Sequence, residues 1–308
     1  MIAAAVRLAR PFTLLAPAIG MIGWGLVALG GAPRIEPSAR IVVNLALGAL
    51  MAACLNVASN AVNQIHDIEI DRINKPHRPL PAGRISIAAA SRLTAAFYAL
   101  AIGLAAAMNV STLVIVVFTC FVTYAYSAPP FRTKRWGILA NVTIAIPRGV
   151  LLPVAGWCAV VGLGEGGELA GKSVLSPEIW YLGAMSGLFI VGAATTKDYA
   201  DIEGDRAQGC ATLPIRFGVR RSAWMVAPFL VAPFLMLPLG VQIGVLTGHG
   251  AALTWLGVGL AAWGTYTAWL LVRDPDALTS GSEHPSWRHM YLLMVGSQVG
   301  VAAAYLMT

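Results

Sequence analysis

The sequence predicts an all-α polytopic membrane protein, and three observations carry that prediction. Of its 308 residues, 57% are apolar and only 11% charged, with a mean hydropathy of +0.72. A soluble domain carries about 25% charged residues, so this chain has too few to cover a water-facing surface. Several segments also run for about 20 residues without a charge, enough to cross roughly 30 Å of hydrocarbon as a helix. The basic residues, finally, gather in alternate connecting segments.

Nine spans are expected, near residues 11–31, 41–64, 91–108, 110–126, 138–161, 179–197, 223–246, 251–272 and 289–307. Arg7 and Arg10 precede the first apolar run, which continues to about Gly31 with no cleavage site, so it reads as a transmembrane helix rather than a signal peptide. With the N-terminus in the cytoplasm, 17 of the 21 Lys and Arg fall on that side, in the N-terminal segment and in 65–92, 127–137, 197–222 and 273–288. Arg34, Arg40 and Lys172 fall on the other side, and Arg148 lies inside the fifth span. This asymmetry places the C-terminus opposite the N-terminus. It also accounts for the net charge of +7 without a nucleic-acid partner. The glycine-rich stretch 162–178 reads as a plain surface loop. Cys54, Cys120, Cys158 and Cys210 form no CxxC pair and read as packing residues.

Two acidic motifs stand out against this background. Asp67-Ile68-Glu69-Ile70-Asp71-Arg72 follows the second span, and Asp201-Ile202-Glu203-Gly204-Asp205-Arg206 follows the sixth. Their likeness suggests an internal repeat of four spans, with the ninth as an addition. Asn63, Asp67 and Asp71 recur at i, i+4, i+8, one stripe on a helix continuing from the second span. Asn56 and Asn60 extend that stripe back, where interhelical hydrogen bonding is an equal alternative. Asp198, Asp201 and Asp205 recur at i, i+3, i+7. Oxygen donors without His or Cys in register favour Mg²⁺, which carboxylates commonly share with substrate phosphates. Two such clusters suit two ions on one diphosphate. His66 and His77 read as loop residues.

Arg72, Lys75 and Arg78 follow the first motif, Lys197 and Arg206 flank the second, and Arg132, Lys134 and Arg135 lie on the 127–137 loop. Topology accounts for most of them; Lys197, beside Asp198, is the preferred phosphate contact. Arg148 is costly in an apolar span and is expected to face a cavity or a partner. Tyr126 and Tyr199 are the aromatics best placed to line a pocket.

These motifs resemble the UbiA superfamily of intramembrane prenyltransferases. The stretch from Asn63 to Asp71 is similar to that family's first signature, and Lys197-Asp198-Tyr199-Ala200-Asp201-Ile202-Glu203-Gly204-Asp205 to its second. Arg10-Pro11-Phe12 and Tyr126-Ser127 are similar as well. The resemblance spans essentially the whole chain as a single domain. It implies nine helices around a central cavity capped by cytoplasmic loops, with two Mg²⁺ holding a polyprenyl diphosphate. Asn63, Asp67, Asp71, Asp198, Asp201 and Asp205 then become the metal and diphosphate site. Asp67, Asp71, Asp201, Asp205 and Lys197 carry the catalysis. Lys197, Arg72, Tyr126 and Ser127 become diphosphate contacts, Arg10 an anion contact in the cavity, and Arg148 and Tyr199 further substrate contacts. Gln64 stands where the family usually has an acid, and activity is expected to survive the change.

The expected reaction is ionisation of an allylic prenyl diphosphate and coupling of the cation to an acceptor in the bilayer, foremost an aromatic quinone precursor. A glycerol phosphate ether lipid is the alternative, and a chlorophyll-type pigment a third. Asn63-Gln64 resembles the homogentisate prenyltransferase branch. Arg78-Pro79-Leu80-Pro81-Ala82-Gly83 and Thr212-Leu213-Pro214-Ile215 resemble the digeranylgeranylglyceryl phosphate synthase branch. A secondary transporter is the rival from another class, although transporter sites tend to lie near the bilayer midplane. No sequence cue assigns an oligomeric state.

Overall fold

The computed structural model describes residues 2–279 and 284–308. Among these, nine helices are long and apolar enough to cross a membrane: Pro11–Leu29, Ala39–His66, Ile87–Met108, Val110–Ser127, Ile138–Val161, Pro177–Ala207, Val219–Gln242, Gly250–Arg273 and Pro285–Leu306. They match the nine expected spans. The sixth reaches Ala207 rather than 197 because helical backbone continues through the second acidic motif. The protein is an integral, multi-pass membrane protein.

Local chemistry sets several helix starts. The side chains of Ser38, Ser86 and Asn109 accept hydrogen bonds from the backbone N–H groups of Ile41, Ala89 and Thr112, satisfying donors the first turn leaves open. Small residues let the spans approach closely, as lipid-embedded helices require. A Cβ on Gly25 would lie 2.2 Å from Leu45 Cδ2 and 3.2 Å from the Gly156 carbonyl, so the first, second and fifth spans meet there. Met21, Trp24, Trp157 and Cys158 fill the core around that crossing. The seventh span is interrupted by two turns of 3-10 helix, Ala227–Leu230 and Ala232–Leu235. Each repeats Ala-Pro-Phe-Leu, and each proline lacks the N–H that an α-helix needs.

The stretch after the fifth span is not the plain loop expected. It forms a short antiparallel hairpin, Glu168–Leu169 with Lys172–Ser173. Lys172 is buried and donates to the carbonyls of Ala28 (2.9 Å) and Gly30 (2.5 Å). Its charge thereby satisfies the C-terminal end of the first span. The ammonium also lies 5.4 Å from the Trp157 ring centroid.

Candidate active site

Both acidic motifs sit where a helix breaks. The second span ends at His66, Asp67 takes φ −110° and ψ 15°, and a short helix follows over Ile68–Asn74. The sixth span tightens into a 3-10 helix over Ala194–Asp201, Asp201 takes φ −112° and ψ 8°, and a second short helix follows over Ile202–Ala207. The uninterrupted stripe expected for Asn63, Asp67 and Asp71 is therefore corrected: the chain turns at Asp67. The matching angles at Asp67 and Asp201 give the two motifs a common backbone form.

The short helices pack against each other. Asn74 ties them: its Nδ2 donates to the Asp201 carbonyl (2.9 Å), and its Oδ1 accepts from the Gly204 N–H (3.0 Å). Only glycine fits at 204, because a Cβ would fall 2.6 Å from Asn74 Nδ2 and 2.7 Å from the Ile70 carbonyl.

The motifs open into a cavity of about 580 Å³ that runs inward as far as Met21 and Met51. Arg10, Asn63, Asp67, Asp71, Tyr126, Ser127, Arg148, Lys197, Asp198, Asp201 and Asp205 all line it. Two expected site residues do not. Arg72 points outward and pairs with Glu69 at 2.6 Å, both side chains more than half exposed. It follows Asp71 by one position, about 100° further round the helix. Tyr199 is 1% exposed and belongs to the hydrophobic core; one residue after Asp198 on a 3-10 helix, it faces about 120° away.

Cations meet the carboxylates one by one. Lys134 donates to Asp67, and Arg132 lies 3.6 Å from the same oxygen. Arg78 Nη1 reaches both oxygens of Asp71 at 2.7 Å, Lys75 pairs with Asp201, and Lys197 lies 3.2 Å from Asp198. Lys197 also approaches the Tyr126 hydroxyl at 3.4 Å, and Asn63 Nδ2 approaches Ser127 Oγ at 3.4 Å. Lys75, Arg78 and Lys134 line the cavity. Sequence reasoning attributed them to loop topology, since nothing along the chain marks which loop cations fold inward.

Burial pushes the Asp71 carboxyl above its ordinary value, against the pull of Arg78. Burial likewise pushes the Lys75 ammonium down, against the pull of Asp201. Arg10 is pushed down to about 10 by burial and by the neighbouring Arg78 and Arg148. Its backbone is left-handed, φ 54°, where the short helix Ile2–Ala9 turns into the first span. A non-glycine residue there is uncommon, and the turn sets its guanidinium on the cavity wall.

Asn56 and Asn60 serve mainly as interhelical hydrogen-bond donors. Asn56 donates to the Thr13 carbonyl at 2.9 Å, and Asn60 to Thr13 Oγ1 at 3.0 Å. Gln64, 2% exposed, donates to the Leu8 carbonyl at 2.8 Å. It therefore faces the N-terminal helix and not the cavity, which explains why a neutral amide stands there.

The donors that the two acidic motifs bring to the cavity are oxygens. Among the described residues, no three His, Cys, Asp or Glu side chains converge closely enough to hold a metal alone. Such a set fits a hard cation that takes the rest of its shell from phosphate oxygens and water.

Fold and site together define a helical membrane protein whose polar, charged mouth leads into a largely apolar interior. The chain matches the UbiA prenyltransferase family over residues 14–282 and belongs to that family; it is a prenyltransferase. The digeranylgeranylglyceryl phosphate synthase of Thermococcus kodakarensis is 32% identical over 276 residues, 89% of each chain. A probable chloroplastic homogentisate phytyltransferase of rice (Oryza sativa subsp. japonica) is 27% identical, over 81% of this chain and 59% of that one. Among solved structures, a UbiA homolog from Archaeoglobus fulgidus bound to DMAPP and Mg²⁺ shares the fold. Its TM-score is 0.70 at 21% identity, over 96% of this chain and 98% of that one. The transporter reading falls with family membership.

Proposed function

We propose that this prenyltransferase moves a polyprenyl group from an allylic prenyl diphosphate onto a hydroxyl of a glycerol phosphate ether lipid. The observation that carries the donor half is the convergence of Asp67, Asp71, Asp198, Asp201 and Asp205 at the mouth of one cavity. For the acceptor, similarity to the Thermococcus kodakarensis enzyme over most of both chains favours the ether-lipid alternative over the aromatic quinone precursor. The rice relative keeps the aromatic acceptor as the second reading.

Asn63, Asp67 and Asp71 would hold one Mg²⁺, and Asp198, Asp201 and Asp205 a second. Bound there, the ions supply neutralisation of the charge that grows on the departing diphosphate. Lys75, Arg78, Lys134 and Lys197 exchange their carboxylate partners for phosphate oxygens, with Tyr126 and Ser127 beside them. The bond from prenyl C1 to the diphosphate oxygen breaks, and its electron pair leaves with the diphosphate. A lone pair of the acceptor hydroxyl then forms the new C1–O bond, and the hydroxyl proton passes to the released diphosphate. Apolar walls at Met21, Met51 and Leu55 hold the chain and keep water from the cation. Both motifs are assigned to the cytoplasmic face, together with the N-terminus.

The test uses purified protein, Mg²⁺ and geranylgeranyl diphosphate, with product mass read against geranylgeranylglyceryl phosphate and homogentisate. The expected product is the diether phosphate, and Asp67→Ala and Asp201→Ala are each expected to lose about 100-fold or more in turnover. Full turnover in either variant would remove the metal assignment; prenylated homogentisate as the sole product would move the acceptor to the second reading.

A further inference from the structure

Arg148 is a charged group of the cavity that the diphosphate site leaves unused. It lies inside the fifth span, on a π-helical turn over Ile146–Leu151. Such turns are rare and frequent at functional sites. The turn is pressed onto the sixth span: a Cβ on Gly149 would lie 2.4 Å from the Gly187 Cα. With glycine filling that contact, the neighbouring Arg148 side chain opens into the cavity instead.

No carboxylate pairs with it among the described residues. Lys75, Arg78, Lys134 and Lys197 each pair with an aspartate, whereas the electrostatic neighbours of Arg148 are the Tyr126 hydroxyl and another cation, Arg10. An arginine at this depth demands an anion or a polar cavity to offset its desolvation. One further polar group beside it lacks a partner. Gln298 is 5% exposed, its Oε1 has no hydrogen-bond partner, and together with Arg148 it lines both the cavity and a small side void of about 10 Å³ that Ser186 and Ser297 also border. Met21, Met51 and Val116 line the same cavity with apolar side chains. The cavity therefore combines apolar walls suited to a prenyl chain with a polar pair, Arg148 and Gln298, that a prenyl chain does not use.

We propose that Arg148 is a specificity-determining residue that binds the phosphate of the acceptor, at an anion subsite beside the diphosphate cradle. The proposal rests on the ether-lipid reading above. A planar guanidinium grips phosphate oxygens bidentately. Gln298, which lines the same cavity, offers its unpaired Oε1 as an acceptor to the glycerol end of the same molecule. The prenyl diphosphate keeps its own cations, Lys75, Arg78, Lys134 and Lys197, so the two anions do not compete for one arginine.

The experiment compares wild type, Arg148→Gln and Arg148→Lys, all with Mg²⁺ and geranylgeranyl diphosphate. Two acceptors are used: geranylgeranylglyceryl phosphate and the neutral alcohol geranylgeranylglycerol. Arg148→Gln is expected to raise KM for the phosphate acceptor about tenfold or more, with KM for geranylgeranyl diphosphate within about twofold. It also removes the wild-type preference for the phosphate over the alcohol, and Arg148→Lys restores part of it. Calorimetry with geranylgeranylglyceryl phosphate alone reads the same loss without turnover. Binding of geranylgeranyl diphosphate at wild-type strength shows that a variant is folded; where Arg148→Gln fails that check, Arg148→Lys decides by the same KM comparison. An unchanged acceptor KM in a folded variant, or a rise confined to the diphosphate KM, overturns the subsite alone. A wild-type enzyme that does not use the phosphate acceptor overturns both this proposal and the ether-lipid reading.

Discussion

At the scale of single residues, the site is a set of carboxylates that the fold holds beside cations. Asp71 shows what this costs. Burial raises its pKa above the ordinary 3.8, although Arg78 pulls the other way. A raised carboxyl pKa means the folded state tolerates protonation, so this group adds to stability at low pH and loses that contribution as pH rises through its folded pKa. Metal binding runs in the opposite sense, because Mg²⁺ needs the ionised carboxylate. The concentration of Mg²⁺ for half-maximal rate is expected to rise as pH falls from about 7 to about 5, and the rise to flatten in Asp71→Asn; rate profiles at fixed diphosphate check both. Gln64 supplies a second residue-scale prediction. Its amide donates to the Leu8 carbonyl in a buried position, so Gln64→Glu, which matches the usual family motif, sets a carboxylate against a carbonyl oxygen. It is expected to lower stability by about 2 kcal/mol while leaving activity per folded molecule nearly intact. Thermal melts paired with turnover would separate these effects.

Among the elements, the decisive event is the break at Asp67 and Asp201. A straight continuation of each span would carry the later aspartates past the cavity mouth; the two short helices fold them back over it, and Asn74 locks the pair. Asn74→Ala removes both bonds and is expected to cost about 1–3 kcal/mol, with KM for the prenyl diphosphate rising more than kcat falls. Gly204→Val is expected to be worse, since its side chain meets the Ile70 carbonyl, which is backbone and has little room to yield. The hairpin at the other end does comparable work for the first span. Lys172→Met strips two carbonyls of their cation and is expected to lower the melting temperature with no change in either KM.

For the whole molecule, the two ends of the bundle differ in kind: one carries the acid and base pairs of the site, the other a hairpin sealed by a buried lysine. The orientation prediction belongs here. Cysteines introduced at Arg84 and Gly166 lie at opposite ends, and the native cysteines are buried or partly buried. Membrane-impermeant maleimide applied outside intact cells is expected to label Gly166→Cys and spare Arg84→Cys; the reverse would invert the proposed topology. The nine spans, their order, both acidic motifs and the resemblance they carry were legible along the chain, because hydropathy and motif spacing are properties of adjacent residues. Which loop cations turn inward was not: by charge all four read alike as cytoplasmic, and the resemblance singled out Arg72, yet Lys75, Arg78 and Lys134 line the cavity while Arg72 faces outward beside Glu69. Tyr199 beside a motif aspartate and Lys172 in a glycine-rich loop misled for the same reason. Burial and side-chain direction depend on what packs from distant parts of the chain, so local pattern set the spans and the chemistry, and only tertiary packing decided which charges share the cavity.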